Sequence, residues 1–542
     1  MSPKNLLRLK GFAYTLGYAF IIAALFFVAE TLYRYYNPLL HTHFSTRFFG
    51  ELWLIHFLLL SLKSRRTIVV TYSILMTLFV TQLIHFSYYG SWIFPLEYIL
   101  FFTKFKETLD TFSTVLDVTF IPLAITLPFT IALIVALKKF DTQRFYIPYL
   151  GPILVMVLIF LPVRTYLNDK TKKGARPNMK TNVIRNTFET MGFMVGRILV
   201  NKVTGESQLM KPIVKTPPLL NKDPNINVIV IMGESLSYHH MSVLGYERQT
   251  TPLLDARSKR DDFLALPALA GGVCTDVAIP SFMNMVAEPD NTAQIISTNT
   301  CLFKMAKDNG FTTAFISAQS PEGLKQIKSY LCLGFADLVM DSSGAKNLEV
   351  DGNAYDEVLL ERVKEIDFKK SNFVVLHQIG SHSPHEWRYP EGFEKYKGKN
   401  NVDYYDNSVY YTDYVIGHLM EYIEAHSDKP TYIVFTSDHA TSVGNDNVRG
   451  HGSLDLDVGV EVPFVLQSFH DDRNVTGTFK DVKHLSHLDI SRFVASLLGY
   501  KIDKIIDDSK GYFVCGRDLS GVDGYTHYTF DGNKTHKEIV NP

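Results

Sequence analysis

Asn227-Val228-Ile229-Val230-Ile231-Met232-Gly233-Glu234-Ser235 is the stretch that decides the fold. A short, unbroken apolar run rich in β-branched residues, closed by a glycine, reads as a strand buried on both faces. Residues 431–436 repeat the pattern and end in Ser437-Asp438-His439, and residues 372–378 lead into Ile379-Gly380-Ser381-His382. Further strands are expected at 312–316 and 463–467, and helical stretches at 356–365, 411–426 and 486–498 alternate with them. Such alternation predicts an α/β domain with a mostly parallel central sheet covered by helices on both faces. Ligands of such sheets gather beyond the carboxyl ends of the strands, which is where these polar residues fall.

Outward from that core the composition changes. The chain has 542 residues, enough for two or three units. Apolar runs at 12–33, 48–62, 68–88, 116–137 and 147–165 predict a five-span transmembrane domain over residues 1–165, the second run being short and carrying Glu51 and His56. Lys4, Arg8 and Lys10, then Lys63, Arg65 and Arg66, then Lys138, Lys139 and Arg144 all fall on one side of those spans. Basic connections stay cytoplasmic, so an odd number of spans places everything after them outside. The first run is too long, and lacks the small-residue cleavage site, for a removed signal peptide. Residues 166–223 read as a linker along the membrane surface with a helix at 183–200, and residues 224–542 as the outside catalytic domain. The net charge of −1 averages two unlike halves and says nothing about nucleic acid, and no basic stripe argues for such a partner.

The polar residues at the strand ends suggest metal chemistry. Glu234 follows the first strand, Asp438 and His439 follow the strand at 431–436, and Gly450-His451-Gly452 lies shortly beyond. Carboxylates and imidazoles of this kind suit zinc in a site that keeps one position for the reacting group. His382, on a Gly/Ser/Pro loop, is a candidate for phosphate binding or proton transfer, whereas His377, inside a strand, reads as a buried structural residue. A nucleophile must come from the segment Gly271 to Ser281, which offers Cys274, Thr275 and Ser281; a metal would activate any of them, and composition does not choose. The four cysteines, Cys274, Cys301, Cys332 and Cys515, form no C-x-x-C pair, and Cys301 with Cys332 is a candidate disulfide in an outside domain.

Taken together these blocks resemble the phosphoethanolamine transferases of Gram-negative envelopes, including lipid A modifying and colistin-resistance enzymes, within the alkaline phosphatase superfamily. The resemblance rests on Gly233-Glu234-Ser235 through Gly245-Tyr246-Glu247-Arg248 and Thr251-Pro252, on Ile379-Gly380-Ser381-His382 with Arg388-Tyr389-Pro390, and on Ser437-Asp438-His439, Gly444 and His451-Gly452. It implies that Thr275 is the nucleophile and a zinc ligand, with Glu234, Asp438 and His439 as the other ligands. It implies catalytic roles for His382 and His451, with head-group binding or a further zinc, and lipid head-group contacts for Thr103 and Glu107. The donor implied is membrane phosphatidylethanolamine, and the acceptor lipid A, a lipopolysaccharide core sugar or another glycan, served by a monomeric integral protein of the inner membrane. Departures include Ser281 where the family has a cysteine, Ala440-Thr441 where it has Gly-Glu, and Ile99 where it has asparagine.

Four alternatives compete. A sulfatase needs a C/S-x-P-x-R sequence, which the segment around Thr275 lacks. A phosphoglycerol transferase of the lipoteichoic acid synthase type, or a sulfatase-fold phosphodiesterase, shares the fold; Gly245-Tyr246-Glu247-Arg248 favours the ethanolamine class. A degenerate membrane sensor would have lost a ligand, yet Glu234, Thr275, Asp438 and His439 are all present.

Overall fold

The computed structural model describes residues 3–37, 46–89, 92–93, 98, 116–140, 144–167, 182–195, 214–289, 292–324, 327–347, 352–443, 450–471, 473–519, 524–532 and 534–540. Its contacts divide the chain into two compact units, Met1–Glu206 and Ser207–Pro542.

The first unit is helical: α1 (Pro3–Tyr36), α2 (Thr46–Leu60), α3 (Arg65–Tyr89), α4 (Leu116–Lys139), α5 (Leu150–Leu167) and α6 (Val183–Phe193). Among the described residues three segments are long and apolar enough to cross a bilayer: Asn5–Tyr36, Arg65–Ser87 and Thr119–Lys139. Of the five runs expected to span, three therefore stand as candidate spans among the described residues. The runs at 48–62 and 147–165 also form helices, α2 with 15 residues and α5 with 18, about 22 Å and about 27 Å of rise. A buried ion pair, Glu30 with Arg34 at 2.8 Å, stands in α1. Glu30 also accepts from the Val183 backbone N–H at 3.2 Å, and Asn182 caps the same helix by accepting from Arg185 N. The carboxylate thereby joins α1 to the first turn of α6, and the pairing offsets the cost of burying a charge.

The second unit is built on a seven-stranded sheet of order β2-β7-β6-β1-β5-β3-β4. Its strands are β1 (Asn227–Gly233), β2 (Phe263–Leu269), β3 (Thr312–Ser317), β4 (Leu338–Met340), β5 (Asn372–His377), β6 (Thr431–Ser437) and β7 (Glu461–Phe469). A small antiparallel sheet adds β8 (Tyr512–Cys515), β9 (Tyr525–Asp531) and β10 (Lys534–Val540). Strands β6, β1, β5, β3 and β4 run parallel, while β7 is antiparallel to β6 and β2 to β7. The sheet is therefore mixed. A parallel neighbour needs a crossover that returns the chain to the opposite edge; only a 3₁₀ turn, Asp457–Val460, is described between β6 and β7, so β7 runs straight back. The sequence pattern misses β2 because Pro267 interrupts it, a residue tolerated here because β2 is an edge strand.

Helices cover both faces: α7 (Pro252–Arg257), α8 (Thr275–Met283), α9 (Thr292–Ser297), α10 (Leu302–Asp308), α11 (Val358–Arg362), α12 (Asn401–His426) and α13 (His487–Leu497). The alternation of β1 shows how. Val228, Val230 and Met232 belong to one core with Phe282 of α8, Leu302 of α10 and Ile490 of α13. Ile229 and Ile231 belong to the other, with Leu254 of α7, Leu359 of α11 and Val415 of α12. Because every β1 residue is buried, the strand reads as a continuous apolar run. Helix α12 begins ten residues before the 411 expected for it, where Asn400 accepts from Asp403 N as N-cap; its first turns are rich in Asp, Asn and Tyr, weak helix formers that burial supports. Helix α13 starts at a capping box formed by Ser486 and Asp489.

Candidate active site

Sheet register builds the site. In the parallel ladder Gly233 of β1 is paired with Ser437 of β6, and Met232 with His377 of β5. The residues that follow, Glu234 on one strand, Asp438 and His439 on the next, and the Ile379-Gly380-Ser381-His382 loop on the third, leave the sheet at one level. Ser235 turns the chain sharply with φ 57°, and its backbone N–H donates to Asp438 Oδ1 at 3.0 Å.

On the β5 side, Gly380 has φ +54°, and a Cβ there would lie 2.7 Å from Glu234 O and 2.9 Å from Glu234 N. Only glycine permits that approach. Ser381 N donates to Glu234 O at 3.0 Å, so the two loops are stitched together. Beneath them the buried Asp356 carboxylate accepts from Ile379 N at 2.7 Å and Gly380 N at 3.0 Å, and burial pushes its carboxyl up to about 7.

Glu234, Asp438 and His439 form a buried group whose ligand atoms all lie within 4.8 Å of one another. His439 Nε2 stands 3.4 Å from Glu234 Oε1 and 3.4 Å from Asp438 Oδ2. Thr275 is the first residue of α8. Its hydroxyl donates to Glu234 Oε2 at 3.1 Å and lies 3.3 Å from His439 Nε2. A helix N-terminus at this point favours negative charge on an incoming group. Of the other two nucleophile candidates, Ser281 is buried inside α8 with its hydroxyl unpartnered, and Cys274 is the N-cap residue of α8, immediately before Thr275.

The electrostatics of this group call for a cation. Burial, reinforced by the Glu234 charge, pushes Asp438 up to about 7. Burial would also raise Glu234, but the hydrogen bond and charge of His439, with the charge of His382, hold it well below the usual carboxylate range. His439 is raised to about 9 against the pull of burial, chiefly by Asp438 and Glu234. Asp438 Oδ2 is buried with no hydrogen-bond partner, an orphan that a metal ligand accounts for. Two carboxylates, an imidazole and a hydroxyl within reach of one point match the donor set of a four-coordinate zinc site.

The remaining predicted residues divide. The His451 ring stacks on His439 with centroids 4.1 Å apart, and His382 lies 6.5 Å from His451, so three imidazoles line one side. Thr103, Glu107, Ile99 and Gly444 lie outside the described residues. His377 is buried against Ser317 Oγ at 3.0 Å, and burial lowers it to about 4. A disulfide joins Cys301 to Cys332.

Sequence reasoning missed supports that come from distant segments. His487, the first residue of α13, accepts from Gly271 N through Nδ1 at 3.1 Å and meets Ser437 O through Nε2 at 2.9 Å, tying the loop before Thr275 to the end of β6. The capping box at Ser486-His487-Leu488-Asp489 marked the helix start but not this contact. His240 meets Asp406 at 2.7 Å, Arg248 donates to Asp403 and Asp406, and Tyr405 donates to Ser235 O; these pairings join segments some 160 residues apart.

Residues 226–500 match the family model described as Sulfatase. Among characterised proteins the chain is similar to the phosphoethanolamine transferase EptA of Salmonella typhimurium, 27% identical over 276 residues that cover 46% of this chain and 48% of that protein. It is also similar to the putative transferase YhbX of Escherichia coli, 26% identical over 297 residues, 53% of this chain and 51% of that one. The chain thus spans about half the length of the curated relatives it matches. Among solved structures, the integral membrane lipooligosaccharide phosphoethanolamine transferase A (EptA) from Neisseria meningitidis shares the fold, with a TM-score of 0.60 over 92% of this chain and 97% of that one at 16% identity.

Proposed function

Because the chain belongs to the Sulfatase family, we propose that its alkaline-phosphatase-like site transfers phosphoethanolamine from phosphatidylethanolamine to an envelope acceptor, through zinc and the Thr275 hydroxyl. The observation that carries this reading is the placement of Thr275 Oγ1 at the first turn of α8, within 3.3 Å of both Glu234 and His439. Sulfuryl transfer by a family sulfatase is disfavoured, since the segment beginning Cys274-Thr275-Asp276 lacks the C/S-x-P-x-R sequence. The likeness to EptA supports the choice of donor group.

Glu234, Asp438, His439 and Thr275 would hold the zinc, which when bound eases deprotonation of the hydroxyl and offsets charge on the phosphate. Thr275 Oγ1 attacks phosphorus, the phosphorus–oxygen bond to diacylglycerol breaks, and phosphoethanolamine is carried on Thr275. His382 or His451 delivers a proton to the departing diacylglycerol oxygen. An acceptor hydroxyl on lipid A, a lipopolysaccharide core sugar or another glycan then gives its proton to that histidine and attacks the phospho-threonine, restoring Thr275. The backbone N–H groups at the start of α8 face the growing negative charge, and Asp356 and Gly380 hold the His382 loop against Glu234. The apolar helices of the first unit keep the site at a membrane, with the catalytic unit on the periplasmic side.

The test uses the full chain in lipid nanodiscs containing labelled phosphatidylethanolamine. Zinc bound at about one ion or more per chain, with diacylglycerol released by the native protein and not by Thr275→Ala, is the expected result. Undiminished release by Thr275→Ala would overturn the nucleophile assignment.

A further inference from the structure

Between α3 and α4 runs a groove of about 520 Å³ whose walls, among the described residues, come from those two helices. Its floor is apolar and buried, made by Tyr72, Met76 and Leu133, while Val69 and Ile134 form exposed walls. Four hydroxyl residues also line it, yet each turns its oxygen back onto its own helix: Ser73 donates to Val69 O, Thr77 to Ser73 O, Thr81 to Thr77 O and Thr130 to Thr126 O. With these polar atoms satisfied internally, the groove presents carbon to its occupant. From Arg65 to Thr81 the wall follows 16 residue steps of helix, about 24 Å, more than the ~15 Å half-thickness of a bilayer core, so one acyl chain fits along it.

One end of the groove is different. Arg65 and Lys138 both line it, and Arg65 Nη2 donates to Lys138 O at 3.3 Å, which joins the start of α3 to the last turn of α4. Both side chains are exposed, as are the adjacent Arg66, Lys139 and Lys63. Arg65 and Arg66 stand at the N-terminus of α3, where the helix dipole adds to their attraction for an anion, and Lys138 and Lys139 stand in the last turn of α4. An apolar channel of acyl length that opens onto paired cations is complementary to a lipid phosphate with its chain attached.

We propose that this groove binds one anionic glycerophospholipid, its phosphate held by Arg65 and Lys138 and an acyl chain lying between α3 and α4. The occupant is a phospholipid rather than free phosphate, because the volume lies along the apolar wall and not at the cations alone. Net negative charge is required because the surrounding lysines and arginines raise the local potential beyond what a zwitterion answers. The placement of this end in the cytoplasmic leaflet rests on the membrane orientation given under the proposed function; the binding itself does not.

The full chain, purified in mild detergent, is titrated with phosphatidylglycerol and with phosphatidylcholine of the same acyl chains, and native mass spectrometry counts bound lipid. One phosphatidylglycerol per chain should bind in preference to phosphatidylcholine. Arg65→Gln with Lys138→Gln should weaken it by about tenfold to thirtyfold. Thr77→Trp, which fills the groove and keeps both cations, should abolish it. Equal binding of the two lipids, or unchanged binding in either variant, would overturn the proposal. Both variants replace exposed or groove-lining groups, and their melting temperatures report whether they fold. Since the readout is lipid retention and not group transfer, its failure is distinguishable from failure of the transferase reading.

Discussion

Replacing Gly380 by alanine perturbs the site from behind, without replacing a ligand. At φ +54° an alanine pays about 1–2 kcal/mol for the left-handed conformation alone. Its Cβ would also stand 2.7 Å from Glu234 O and 2.9 Å from Glu234 N, and these are backbone atoms that no rotamer change can move. Relief must come from displacing Glu234 or the His382 loop, an overpacking cost of about 1–3 kcal/mol more. Gly392 supplies the control, because its φ is +100° and nothing lies within 4 Å of a Cβ built there; Gly392→Ala pays the conformational cost only. Chelator competition on the full chain should show zinc held about tenfold or more weakly in Gly380→Ala and within about twofold of native in Gly392→Ala, and Gly380→Ala should have the lower melting temperature. Equal zinc affinity and equal melting in the two variants would refute the claim that Gly380 fixes the position of Glu234.

Asp438→Asn should lower zinc occupancy, since it removes one charged ligand from a buried group that already holds an orphan oxygen; elemental analysis showing full occupancy would count against that ligand. His487 is held neutral by burial, its pKa lowered to about 4. The folded form therefore resists protonation, and its contribution to stability, present above the unfolded value of ~6.5, is lost as pH falls toward 4, by up to about 3 kcal/mol. His487→Gln, which can keep both hydrogen bonds, should flatten unfolding curves over that window, and an unchanged slope would exclude the histidine as the source. Removing the Cys301–Cys332 bridge, which closes a loop of 31 residues, by serine substitution at both positions should cost about 3–4 kcal/mol; a melting temperature equal to native would show that the bridge carries no stability.

The central sheet was legible where burial on both faces wrote itself into the residues: β1, β5 and β6 are buried end to end with apolar centres, and the chemistry follows each at its carboxyl end. What the pattern obscured has particular causes. Pro267 hides β2, whose edge position makes the proline harmless. The direction of β7 depends on the path of the chain between residues 438 and 460, which periodicity does not encode. The first turns of α12 are built from weak helix formers held by tertiary contacts. Apolar composition marked α2 and α5, and both are helices.

At the site, Glu234, Asp438 and His439 were readable because they sit one or two residues past a strand. Thr275 was readable only as one of three candidates, since its helix start, not its composition, points the hydroxyl at the other residues. His487 and Asp356 reach the site from distant elements through single hydrogen bonds, and no local signal records such contacts. The rings of His382 and His451 come within 6.5 Å of each other, centroid to centroid, only through folding.

The account stands most directly on where phosphoethanolamine is carried. The zinc-loaded full chain, mixed with phosphatidylethanolamine and quenched before acceptor is added, should yield by peptide mass spectrometry a single adduct of one phosphoethanolamine unit, on Thr275. An adduct on Cys274 or Ser281 instead, or diacylglycerol release with no adduct formed on the chain, would contradict it.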